Sequence, residues 1–382
     1  MANDKSFKIK NGLLAGRYLG SNGTETAGTV GYDLAGASYD SVSFSVASQE
    51  SNFLAFYISN AGTKLFVVGY ANDTVYQYTL STAWDISTAS YDSKSFSVAS
   101  QMAIPRSLEF KPDGTKMYVG EYPTIYQYSL STAFDVSTAS YDSVSFSPSS
   151  QTSTLHEVVL SPDGTKMYIT ALNENSLFQY TLSTAYDLST ASYASKSLDV
   201  SSQDGTPYGI AFNSDGTKAY VLGGNTYSVY EYNLTTAYDI STGSYSGNSF
   251  DASAQGANNQ FDIVFKYDGT KMYLGGLGTD TLYQYSTVGY TQTLDLATGG
   301  TFSFTPSGAT TVSFSNPPAS GTATGFALEV VNTGGYTITW PSSIKWHLGA
   351  APTATATKEL YTFVTTDGGT TYYGKLAGSD IA

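Results

Sequence analysis

The heptapeptide PDGTKMY stands at 112–118 and returns letter for letter at 162–168, with relaxed copies NAGTKLF at 60–66, SDGTKAY at 214–220 and YDGTKMY at 267–273. From Thr63 the matching threonines follow at Thr115, Thr165, Thr217 and Thr270, a period of about fifty residues. Five tandem copies constrain the fold strongly. A unit of that size cannot bury its apolar surface alone, so it must pack against copies of itself.

Each copy reads as four strands. In the second they are predicted at 106–110, 116–121, 124–130 and 141–147. Pro-Asp-Gly between the first two is a tight turn, since Pro presets φ and Gly accepts a positive φ. In the third strand Tyr126, Tyr128 and Leu130 alternate with Ile125, Gln127 and Ser129, a period of two. The fourth strands alternate as well, with Phe44 and Val46, Phe96 and Val98, or Leu198 and Val200 opposite serines. Helical periodicity is absent from the array.

Tandem four-stranded units of this length are the pattern of β-propeller blades. The run SPDGTKMY, followed by a second strand and LFQYTL, resembles the YVTN-type propeller repeat over residues 38–288. The expected fold class is therefore all-β, with a five-bladed propeller of four-stranded blades. The ends of the array suggest how the ring closes. After TLYQYS at 281–286 the usual fourth strand is missing, whereas GYDLAGASYDSVSFSV at 31–46 stands before the first inner strand without a parent blade. Residues 39–46 are expected to supply the outer strand of the fifth blade, which removes an open sheet edge.

Antiparallel neighbours divide the loops between two faces. The PDGTK turns and LSTAFDVSTAS-type connections share one face and are nearly constant. The opposite, top face carries loops that differ in every copy, such as GYANDT, GEYPT, ALNENS and GGNTYS. Two explanations are open: lighter packing duties at the top, or a ligand-binding mouth. The second makes Arg106, Tyr122, His156, Asn173, Tyr208, Asn225 and Asn259 the candidate contacts.

The flanks differ from the array. Residues 289–382 alternate at period two between Gly/Pro/Ser turns and are expected to form a C-terminal β-sandwich or jelly-roll-like domain. The run GATTVSFSNPPASGTATGFALEVVNTGGYTITWPSSIKW resembles a small C-terminal domain of bacteriophage tail-fibre and other virion proteins. FKIKNGLLAG, within residues 1–37, resembles the attachment arms that begin many phage structural proteins. These resemblances imply a virion protein, of tail fibre or capsid decoration. It would hold other virion proteins through its arm and C-terminal domain and direct the propeller at a host-surface glycan or protein. A homotrimer assembled in the host cytoplasm would fit that role. The alternative is a secreted or cell-surface lectin or glycan-processing enzyme.

Composition narrows the chemistry. A net charge of −14, with Arg17 and Arg106 the only arginines, is the wrong balance for a nucleic-acid surface. No apolar run is long enough to span a membrane, and residues 1–20 lack the apolar core of a signal peptide. Zero cysteines exclude disulfides, thiolate metal sites and a Cys nucleophile. With His156 and His347 the only histidines, a histidine metal cluster or Ser/His triad has little material. TTDGGTTY at 365–372 resembles the structural Asp-box of sialidases, but two arginines cannot build that family's arginine cluster. Asp113, Asp163, Asp215 and Asp268 fall in turns, where Asp has a structural use. On these grounds the sequence predicts no catalytic residue, no cofactor, no metal and no enzyme.

Overall fold

The computed structural model describes residues 28–255, 261–276, 278–287, 289–306, 310–333, 338–347, 349–352 and 357–379. They divide into two compact units, one of residues 37–287 and one joining the described residues through Gly36 to those from 289 onward.

Among the described residues the first unit is five four-stranded antiparallel sheets, and in blades 1 to 4 the strands follow sequence order from the inner strand outward. In blade 2 the strands are Ser107–Phe110, Lys116–Glu121, Thr124–Leu130 and Ala139–Phe146. The inner strands of blades 1, 3, 4 and 5 are Phe53–Ile58, Leu155–Leu160, Pro207–Phe212 and Asp262–Phe265. Each touches the next, and the fifth touches the first, so the ring is closed. Blade 5 takes its outer strand from the chain's beginning: Ser38–Ser45 pairs antiparallel with Thr281–Ser286, from Ser38 opposite Ser286 to Ser45 opposite Thr281. The closure expected from the orphan strand is what forms.

The core lies between blades. Ala55, Phe66 and Val68 of blade 1 pack on Leu108, Phe110 and Met117 of blade 2, and Tyr273 and Leu282 of blade 5 pack on Phe56 and Leu65 of blade 1. The constant bottom loops fasten these seams. Each connection begins with an aromatic residue at positive φ, namely Trp84, Phe134, Tyr186 or Tyr238, and ends in a short 3-10 helix capped by Asp85, Asp135, Asp187 or Asp239. The ring of that aromatic lies on the turn glycine of its own blade. A Cβ on Gly164, for example, would fall within the Tyr186 ring, and the Tyr186 N–H donates to the Gly164 carbonyl at 3.0 Å.

A buried glutamine then reaches across to the next blade. Gln77 Oε1 accepts from Val136 N at 3.0 Å, Gln127 from Leu188 N at 3.0 Å, Gln179 from Ile240 N at 3.1 Å, and Gln284 from Ile86 N at 3.4 Å, the last across the closing seam. Blade 4 carries Glu231 at this position, paired with Lys218 at 3.0 Å. The segment before the outer strand of blade 5 repeats the pattern of the other connections, with Tyr32 at positive φ, Leu34 buried and Asp33 Oδ1 accepting from Ala35 N at 3.0 Å. Tyrosines repeat the pattern: Tyr118 Oη donates to Tyr186 O and Tyr168 Oη to Tyr238 O, both at 2.7 Å. The bottom face is constant because it is the fastening between blades. The turn aspartates are structural too, as Asp113 and Asp163 each accept from the Thr two residues on, at N and Oγ1.

The second unit is a sandwich of two sheets. Gly28–Val30 pairs antiparallel with Gly289–Asp295, which runs parallel to Thr310–Ser315, itself parallel to Ile338–Thr339. The other sheet orders Thr301–Phe304, Thr324–Val331, Lys358–Thr365, Tyr372–Ser379 and Ile344–Trp346. Leu294, Val312 and Phe314 of the first sheet pack on Phe326, Leu328, Phe363 and Tyr372 of the second.

Candidate functional site

The five inner strands superpose by their turns, so one position per blade can be followed around the axis. At the top of the inner strands that position holds Leu54, Arg106, His156, Tyr208 and Phe261. Their rings gather: His156 and Tyr208 centroids lie 4.6 Å apart, Tyr208 and Phe261 4.6 Å, and His156 stacks on Phe261 at 5.4 Å with 14° between planes. The Arg106 guanidinium sits over the Tyr122 ring, 4.3 Å from its centroid, and its buried Nε has no hydrogen-bond partner. His156 is fully enclosed, and neither ring nitrogen makes a hydrogen bond of ordinary geometry. Burial pushes its pKa down to about 3, with the charge of Arg106 acting in the same direction. His156 is therefore neutral at physiological pH.

One residue further along each inner strand the blades carry Ala55, Ser107, Glu157, Gly209 and Asp262. Two of these are buried acids in an otherwise small-residue ring. Register shifts between Leu155 and Val158, and between Pro207 and Gly209, distort the strand here; such irregularities re-aim side chains. Glu157 Oε1 accepts from Val158 N at 2.9 Å, while Oε2 is buried and unpartnered. Asp262 accepts from its own blade's Ile263 N at 2.6 Å and from Phe56 N of blade 1 at 2.8 Å. A third acid, Glu109, lies two positions below Ser107 and keeps partial water access despite its place inside the ring.

The three carboxyls feel one another. Burial lifts Glu109 well above the usual carboxylate range, and Asp262 adds to it. Burial lifts Glu157 likewise, with Asp262 and Glu109 adding and the Val158 N–H opposing. Asp262 is raised to about 7 by burial, against the pull of the Phe56 and Ile263 N–H groups. Each raised acid makes the folded state bind its proton more tightly than the unfolded chain. Its stabilising effect is present below the ordinary carboxylate pKa and is lost as pH rises, for Asp262 between about 4 and about 7. Carboxyls perturbed by burial and by one another in this way cluster at functional sites, which makes this group the candidate.

Of the residues expected at the mouth, the structure brings Arg106, Tyr122, His156 and Tyr208 together. Asn173 and Asn225 sit on exposed loops, where their backbone N–H groups bond Thr154 Oγ1 and Asp204. Asn259 lies outside the described residues. Sequence reasoning missed Phe261, Glu157, Asp262 and Glu109. The signal was available: with the repeats aligned, an acid replaces Ala, Ser or Gly in an apolar strand. Among the described residues no group of His and acid side chains is arranged to hold a metal ion.

A family described as "Lactonase, 7-bladed beta-propeller" matches residues 124–310, just under half of the chain. The match runs from blade 2 into the second unit, and the ring it falls on has five blades. No curated protein matches. Among solved structures the chain is similar to a functionally unknown protein from Desulfotomaculum acetoxidans, at 14% identity and TM-score 0.38 over 58% of this chain and 62% of that one. It is similar to a protein from Bacteroides uniformis described as a candidate 6-phosphogluconolactonase, at 12% and 0.39 over 60% and 65%. The β-propeller domain of Cps50 (Swd1) from Myceliophteria thermophila gives 13% and 0.39 over 62% and 83%. The alignments thus span under two thirds of the first two proteins. The expectation that this chain is not an enzyme, drawn from its few histidines and arginines, is corrected by the lactonase-family match; buried carboxyls need neither residue type to do chemistry.

Proposed function

We propose that the propeller is a hydrolase that opens a small cyclic ester at its axial acid cluster. The observation that carries the reading is the pairing of Asp262, held near neutrality, with Glu157, held protonated with a free Oε2. The lactonase-family match over 124–310 supplies the substrate class. A general base works best with a pKa near the operating pH, and a neighbouring acid kept neutral can donate.

Ionised Asp262 takes a proton from water as the water oxygen bonds to the lactone carbonyl carbon. Glu157 donates its proton to the ring oxygen as the carbon–oxygen bond breaks, leaving a hydroxy acid. The proton on Asp262 then passes to Glu157 within the coupled pair, restoring both. Arg106, with its unpaired Nε, meets the developing negative charge at the carbonyl oxygen. The rings of His156, Tyr208 and Phe261 form an apolar wall for the substrate body.

Titrating the acid released from an aldonolactone at constant pH tests this. Hydrolysis above the spontaneous rate is expected to rise through about pH 7 as Asp262 ionises. Asp262→Asn and Glu157→Gln are each expected to lower kcat by about a hundredfold or more. Hydrolysis no faster than the spontaneous rate, or acceleration that survives both substitutions, would refute the reading. The virion reading rests on the sequence resemblance of the flanking segments alone, and the lactonase match favours the enzymatic alternative.

A further inference from the structure

The five-stranded sheet of the second unit buries one face and leaves the other open. On its edge Lys345 pairs with Tyr373 and Tyr373 with Val364, so the three form one row across three strands. Two residues along the same strands, and so on the same face, come His347, Lys375 and Thr362, with Thr362 opposite Lys375. The residues that alternate with them, Ile344, Phe363 and Tyr372, go into the core.

A groove of about 490 Å³ opens there, lined by these six side chains with Trp346 and Gly374. Its character is unusual for this chain. The protein carries a net −14, yet the groove has two lysines and a histidine and no carboxylate. Neither Lys345 nor Lys375 forms an ion pair among the described residues, whereas Lys358 on the same sheet is paired with Glu329 at 3.1 Å. Tyr373 is 61% exposed and Val364 45%, and the Thr362 hydroxyl has no partner.

We propose that this groove binds an anionic oligosaccharide, with uronate units as the recognised chemistry. The exposed Tyr373 ring offers a flat face for the C–H side of a sugar. Lys345 and Lys375 flank it, where they meet carboxylates on the chain. The volume falls within the range of small-ligand sites, a few hundred to about a thousand Å³. An acidic protein partner is disfavoured because a protein interface needs a cluster of apolar anchors at its centre, and Tyr373 and Val364 are the only large apolar side chains exposed on this sheet among the described residues. The inference stands apart from the hydrolase reading, since it uses no residue of the propeller.

Full-length protein titrated with oligogalacturonates, against neutral malto-oligosaccharides of matched length, tests it by calorimetry and by Trp346 fluorescence. Binding of the anionic series is expected, weakening as salt is raised. At least a tenfold loss is expected in Lys345→Gln/Lys375→Gln and in Tyr373→Ala, while Lys358→Gln binds as the parent does. Lys345, Tyr373 and Lys375 are exposed and Lys358 is half-buried, and unchanged melting will certify the fold. Equal binding of the neutral series, no binding at millimolar sugar, or affinity indifferent to the groove substitutions overturns the proposal. So does concentration-dependent self-association abolished by the double substitution, which would make the groove an interface between copies.

Discussion

Replacing Gln127 by alanine tests whether the glutamine lock holds the blades together. Gln127 is 3% exposed and does two things: its Oε1 accepts from Leu188 N of blade 3 at 3.0 Å, and its Nε2 donates to Asp142 Oδ2 at 2.8 Å. Alanine leaves the Leu188 N–H buried and unpaired, at a cost of about 1–3 kcal/mol. Asp142 keeps Lys116 and Ser129, so losing one donor adds about 1 kcal/mol. Ser129 supplies the control, since its Oγ donates to the same Asp142 Oδ2, at 3.0 Å, within blade 2. Ser129→Ala removes one donor from Asp142 and leaves the bond from Leu188 N in place. Gln127→Ala should therefore cost about 2 kcal/mol more than Ser129→Ala. At roughly 2–4 °C per kcal/mol for a unit of this size, that is a Tm difference of about 4–8 °C. Differential scanning calorimetry of the two variants beside the parent measures it. Equal losses would refute the lock, because they would assign the whole effect to the bonds on Asp142.

Two further outcomes follow from the same architecture. Gly164→Ala must displace the Tyr186 ring as well as hold a positive φ, whereas Gly247→Ala, at φ +92 in the outer strand of blade 4, meets nothing within 4 Å. The first should lower stability in urea by at least about 2 kcal/mol more than the second; similar denaturation midpoints would dismiss the stacking argument. A chain beginning at residue 47 lacks the strand Ser38–Ser45 and exposes the edge at Thr281–Ser286, so light scattering should report aggregation and the cooperative unfolding transition should be lost. A monomeric product with the parent's Tm would show that the strand is dispensable.

The propeller was legible because its physics is local and repeated. Pro-Asp-Gly at 112–114 sets a turn in any context, and alternation such as Tyr126, Tyr128, Leu130 fixes which face each side chain takes. Repetition then multiplied a weak signal by five. Even closure could be read, since Ser38–Ser45 is a fourth strand with no blade of its own. The site was half legible. Arg106, His156 and Tyr208 drew notice as polar or aromatic groups in variable stretches, and they share one ring of positions. Glu157 and Asp262 did not, because an acid in a sequence reads as a solvated surface group until burial is known. What lifts these two acids above the usual carboxylate range is burial inside the closed ring, which no single segment reveals. The parallel pairing of Thr310–Ser315 with both its neighbours was equally hidden, since a period of two is the same for either strand direction.

The closing strand also bears on how the ring is assembled. Ser38–Ser45 and Thr281–Ser286 stand at opposite ends of the array and pair in blade 5, whereas every other blade is built from strands that follow one another in the chain. Pairing them closes a loop that holds the other four blades, and the entropy of closing a loop grows with its length. Blade 5 is thus the one sheet that local assembly cannot finish, and its completion is the step in which the array becomes a ring.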